Sequence, residues 1–171
     1  GEGGALVTGD KYIYDRARLI RSHGRENEDR FVSLGYNFRM PDMCAALGVS
    51  QLAKLDKLIE MRRQIAEGWY LDGLLGTGYS PTIGDSIYQL YTVRMGAKRD
   101  AVMRHLQESG IGCKVYFKPV HLSEYYRQNK WQPERLPVTE RVSSEVLSLP
   151  MYPGLTESEV EYVCEKVKEA L

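Results

Sequence analysis

The residues able to do chemistry gather in a few short stretches. Gly35-Tyr36-Asn37-Phe38-Arg39-Met40-Pro41 is the densest. Asn37 can donate to a phosphate oxygen, and Arg39 can pair with a phosphate or a carboxylate. A helix starting just after them would add a favourable dipole. A plain loop-to-helix junction, with Asn37 and Arg39 making local caps, accounts for the same residues. Lys118-Pro119-Val120-His121-Leu122 is the second stretch. A lysine and a histidine this close can bind an anion or move a proton. A solvated Lys118 and a locally bonded His121 is the plainer account. Gly1-Glu2-Gly3-Gly4 could let backbone N–H groups approach an anion. It lacks the Lys-Ser/Thr ending of a phosphate loop, however, and precedes a strand rather than a helix, so a turn explains it as well.

Other chemistries find no footing. His23, His105 and His121 are far apart, and Cys44, Cys113 and Cys164 form no C-x-x-C pair. The sequence therefore predicts no metal site and three reduced thiols in a cytoplasmic protein. The carboxylates Glu26, Glu28 and Asp29, and Glu157, Glu159 and Glu161, read as solvated faces. Lys+Arg and Asp+Glu both number 23, so there is no basic excess to suggest a nucleic-acid partner. No apolar run approaches the roughly 20 residues of a membrane helix.

The elements that must position these residues follow from periodicity. Ala5–Thr8 reads as a strand, and Asp10 as the N-cap of a helix closed by His23-Gly24. Residues 25–37 read as loop. From Pro41, apolar residues at Met43, Leu47, Leu52, Leu55, Leu58, Ile59, Ile65 and Trp69 predict a long spine helix to about Leu75, stopping at Gly76-Thr77-Gly78. Tyr88–Met95 is a strand, Asp100–Ser109 a helix and Gly112–Phe117 a strand. Such a unit puts the two strands parallel or on either side of a third. Residues 118–136 form a long loop. Val138–Leu147 is a helix, Ser148–Pro150 an extended piece, and Thr156 with Glu159 caps a last helix from Glu157. With 171 residues, the chain is one domain or one domain plus part of another.

The order of motifs resembles the DegT/DnrJ/StrS family of sugar aminotransferases. The blocks that carry it are Gly1-Glu2-Gly3-Gly4, Arg21–Gly24, Leu34–Met40, Ala45–Gly48 with Gln51-Leu52, Tyr88–Met95, Pro119–Leu122 and Glu145–Thr156. Together they span nearly the whole chain. The resemblance implies an α/β fold, the C-terminal part of an aspartate-aminotransferase-type (fold type I) enzyme. Residues 1–40 would be the tail of the large cofactor-binding domain, and residues 41–171 a small α+β domain with the long spine helix. It also implies a homodimer using pyridoxal 5'-phosphate to move an amino group, often from glutamate, to a keto carbon of a nucleotide-linked sugar.

Residue by residue, Asn37 matches the family asparagine that reaches the cofactor phosphate of the neighbouring subunit. Arg39 beside it supports that loop. His121 matches the histidine at the edge of the sugar-nucleotide site, and Lys118 would help neutralise a diphosphate. Phe117 and Lys118 depart from the family's common Tyr and Pro, and Pro41 and Cys44 from its Ser/Thr and Gln. The family's cofactor-binding lysine lies just before the Gly-Glu-Gly-Gly block, and none of the lysines here has that context. The chain is thus expected to be a fragment without a catalytic residue of its own, inactive alone. Two other readings stay open: a non-catalytic dimerising fragment, and a sugar dehydratase of the same family using the aminated cofactor.

Overall fold

The computed structural model describes residues 2–77, 86–128 and 135–171. Gly1, the predicted stop at Gly78 and residues 129–134 of the expected long loop lie outside these. The chain divides into two compact units, Gly1–Leu55 and Asp56–Leu171.

In the first unit, helix α1 spans Lys11–Arg21. Asp10 caps it as expected: its Oδ1 accepts from the N–H groups of Tyr12 at 2.7 Å and Ile13 at 3.4 Å. These are donors that a helix start leaves without internal partners. Arg18 and Arg21 in the last turn suit the negative end of the helix. The chain then turns through His23 (φ 60°) and Gly24 (φ 71°). Ala5–Thr8, predicted as a strand, forms no ladder among the described residues. Val7 is 95% exposed.

The predicted spine helix begins after Pro41 but is divided. Helix α2 covers Asp42–Leu52 and helix α3 Leu55–Arg63. At the break the Lys54 N–H donates to Gln51 O at 3.0 Å, a tightened final turn. A wider π-helical segment, Gln64–Tyr70, and a single turn α4, Leu71–Gly73, complete the run. The wider turn brings Ile65, Ala66 and Tyr70 onto one buried side.

The second unit is built on strands β1, Tyr91–Arg94, and β2, Val146–Leu149, which pair antiparallel with Tyr91 opposite Leu149 and Val93 opposite Leu147. Alternation holds in β1, where Tyr91 and Val93 are buried and Arg94 is exposed. It fails in β2, where Leu147, Ser148 and Leu149 are all buried. On the edge of β2 opposite the β1 ladder, Lys114 bridges Ser148 antiparallel. The 112–117 strand is reduced to that bridge. It runs parallel to β1 with β2 between them, as the crossover pattern predicted. Ser148, buried among apolar residues, shares a 2.7 Å hydroxyl contact with Thr92.

Helix α5, Arg99–Glu108, packs on β2, and helix α8, Glu157–Glu169, packs on α5 and the π-helical segment. The Thr156–Glu159 capping box is formed on both sides. Short turns at Gly96–Lys98 and Val120–Leu122, helix α6, Glu124–Gln128, and helix α7, Pro137–Glu145, complete the unit. Tyr70, Val93, Val102, Leu106, Leu147, Val160 and Val167 are fully buried. The Tyr70 and Tyr91 rings stack at 4.5 Å, and the Tyr70 hydroxyl donates to Pro150 O at 2.8 Å. Burial raises both phenol pKa values and pushes the Cys164 thiol up to about 11.

Candidate functional site

Asn37 and Arg39 belong to the first unit, and Lys118 and His121 to the second. The segment carrying Asn37 runs back along the end of α1. The Tyr36 N–H donates to Ile20 O at 2.7 Å, the His23 N–H to Tyr36 O at 2.9 Å and the Phe38 N–H to Arg21 O at 2.9 Å. Asn37 itself bridges Ser22 antiparallel.

Two glycines make this close approach possible. A Cβ on Gly35 would lie 2.0 Å from Gly24 N, and one on Gly24 would lie 1.7 Å from Ser33 O. No side chain fits at either position. The sequence pattern showed these glycines as parts of motifs, without the contact that requires them. Gly24 needs its positive φ as well.

The Asn37 side chain is exposed, as is Arg39. The Arg39 Nε–H donates to Asn37 Oδ1 at 3.1 Å. The amide nitrogen of Asn37 is left with two donors and no partner among the described residues, and Arg39 has no carboxylate partner there. A neutral donor pair beside an unneutralised guanidinium suits an anionic oxygen. That donor set fits the phosphate end of pyridoxal phosphate.

His121 sits in the Val120–Leu122 turn with its side chain only 11% exposed. Its Nε2 lies 3.5 Å from Glu140 Oε1 on α7, which the sequence reading did not single out. Nε2 is buried and has no hydrogen-bond partner among the described residues. Glu140 Oε1 also accepts from the Leu136 N–H at 3.2 Å, closing the start of α7. An acid in the first turn after a helix-opening proline was the available signal. Lys118, just before this turn, is exposed to solvent. Nearby, Tyr116 and Phe117 meet edge to face at 5.7 Å, with the Lys114 ammonium 5.6 Å from the Tyr116 ring. Thus Lys118 points to water while His121 turns inward, three residues apart.

Comparison with known proteins agrees with the motif order. The model of the DegT/DnrJ/EryC1/StrS aminotransferase family matches residues 1–168. A pleiotropic regulatory protein of Geobacillus stearothermophilus is 35% identical over 99% of this chain and 47% of its own length. A GDP-perosamine synthase of Caulobacter vibrioides is 31% identical over 100% of this chain and 48% of its own. The chain therefore spans about half the length of these curated relatives. Among solved structures, S. venezuelae DesV, in complex with a ketimine intermediate, superposes with a TM-score of 0.86 at 34% identity, over 95% of this chain and 45% of that one. Helicobacter pylori PseC, an aminotransferase of pseudoaminic acid biosynthesis, gives a TM-score of 0.86 at 27% identity, over 95% and 47%. No helix among the described residues is long and apolar enough to cross a membrane.

Proposed function

The chain belongs to the DegT/DnrJ/EryC1/StrS aminotransferase family, and from that membership we propose that it forms part of a pyridoxal-phosphate-dependent sugar aminotransferase. The amino group would come from a donor such as glutamate and go to a keto carbon of a nucleotide-linked sugar, in the cytoplasm. The observation that carries this reading is the Asn37 amide, held at its oxygen by Arg39 and without a partner at its nitrogen among the described residues.

Bound pyridoxal phosphate supplies an electron sink and a carrier for the amino group. This chain supplies contacts around it. Residues 1–40, as the tail of the large domain, hold Asn37 so that its Nδ2 donates to the cofactor phosphate in the partner subunit of a homodimer. Residues 41–171, as the small domain, carry the substrate side. Lys118 adds a mobile positive charge for a diphosphate. His121, steadied by Glu140, shapes the edge of the sugar site. Amino transfer also needs an amine that engages the cofactor.

A regulatory rather than catalytic role has one observation in its favour, the name of the Geobacillus relative. One experiment addresses both. The assembled enzyme is given glutamate and a nucleotide-linked keto-sugar, and 2-oxoglutarate is measured. Release that depends on the keto-sugar supports amino transfer. A loaded enzyme that releases none with any nucleotide-linked keto-sugar rejects it.

A further inference from the structure

We infer that Arg39 is a positioning residue, one that fixes which edge of the Asn37 amide faces an incoming phosphate. This rests on the assignment of Asn37 to the cofactor phosphate. A primary amide is nearly symmetric in shape, and flipping it exchanges an acceptor for two donors. A phosphate group is held by the donor edge alone. On an exposed asparagine the two orientations are close in energy unless a neighbour tells them apart.

Arg39 does so. Its Nε carries a hydrogen and no acceptor lone pair, and it meets Asn37 Oδ1 at 3.1 Å. The flipped amide would set one N–H against another. The main chain at Asn37 is already restricted. The backbone is pinned by the bridge to Ser22 and by the Phe38 N–H bond to Arg21 O. Behind them stand the glycines that let residues 24 and 35 touch. What remains is rotation of the side chain, and the Arg39 bond holds its amide end. An amide ordered before the phosphate arrives loses less freedom on binding it.

Arg39 is also a positive charge, and the rival account is that it holds the phosphate directly. The two differ in additivity and in what a neutral donor can replace. The test is a double-mutant cycle on pyridoxal phosphate affinity in the assembled enzyme, read from the absorbance of the bound cofactor. Asn37→Ala is expected to weaken binding by about tenfold and Arg39→Met by about threefold or more, with the double variant no weaker than Asn37→Ala. Arg39→Gln keeps an N–H donor without the charge, and should bind within about twofold of the parent. Effects that multiply in the double variant overturn the positioning role, as does an Arg39→Gln enzyme as weak as Arg39→Met. If Asn37→Ala leaves affinity unchanged in a dimeric enzyme, the phosphate assignment of Asn37 falls, and the inference falls with it. That result differs from the other two, which leave the assignment standing.

Discussion

Replacing Gly35 with alanine should release the Asn37 segment from the end of α1. The new Cβ would lie 2.0 Å from Gly24 N, 2.6 Å from His23 C and 2.6 Å from Leu19 O. All are backbone atoms, so no side chain can swing aside. Reaching ordinary contact requires the Asn37 segment and the end of α1 to part by about 1.4 Å. That displacement breaks or stretches the bonds His23 N–H to Tyr36 O and Tyr36 N–H to Ile20 O, now 2.9 and 2.7 Å. Overpacking costs about 1–3 kcal/mol and each lost bond about 0.5–1.5 kcal/mol, so the local cost is about 2–6 kcal/mol. The assay is amide hydrogen exchange followed by NMR. The His23, Tyr36 and Phe38 amides should exchange at least about thirtyfold faster in Gly35→Ala. Gly48→Ala is the control: nothing lies within 4 Å of its Cβ. It should leave those amides unchanged and steady α2 by up to about 1 kcal/mol. Unaltered protection in Gly35→Ala would refute the argument that the glycine contact holds Asn37 in place.

Three further outcomes follow from the second unit. In the assembled enzyme, His121→Ala should raise KM or lower kcat for the keto-sugar step while the amino-donor half-reaction stays near the parent, and Glu140→Gln should act in the same direction more weakly; equal loss in both half-reactions would make His121 structural. Tyr70→Phe loses a bond to Pro150 O and should cost about 1 kcal/mol in denaturant unfolding. Tyr91→Phe removes a buried hydroxyl with no partner among the described residues, and should be neutral or stabilising; equal costs in the two variants would contradict this. For Cys164, burial pushes the folded thiol up to about 11, above its ordinary value of about 8.5. The folded state therefore holds this proton more tightly than the unfolded state. The stability it contributes is complete below about pH 8.5, and is lost as pH rises through about 11. Cys164→Ala should flatten this alkaline fall, leaving the part due to Tyr70 and Tyr91; an equally steep fall would reject the thiol's share.

What could be read from sequence is what depends on neighbours along the chain. Asp10 and Thr156 cap their helices as their spacing required, because a cap is a contact over three residues. The β1–α5–112 crossover was legible for the same reason. The spine helix was legible as a run but not as a divided one. Apolar spacing fixes which side of a helix faces inward, and a tightened turn at Ala53–Lys54 or a widened one at Gln64–Tyr70 alters that side only slightly in the pattern. Contacts between distant residues left still less trace. The 118–122 stretch carries a lysine and a histidine three residues apart, a pairing that spacing alone cannot orient. The structure separates them, one to solvent and one against Glu140, nineteen residues further on. In sequence, Asn37 and Arg39 read as two separate anion-binding groups. Their side chains instead bond each other, which turns a separate charge and a separate amide into one oriented pair. The residue types name the chemistry available, and the hydrogen bond between them decides which atom is left to perform it.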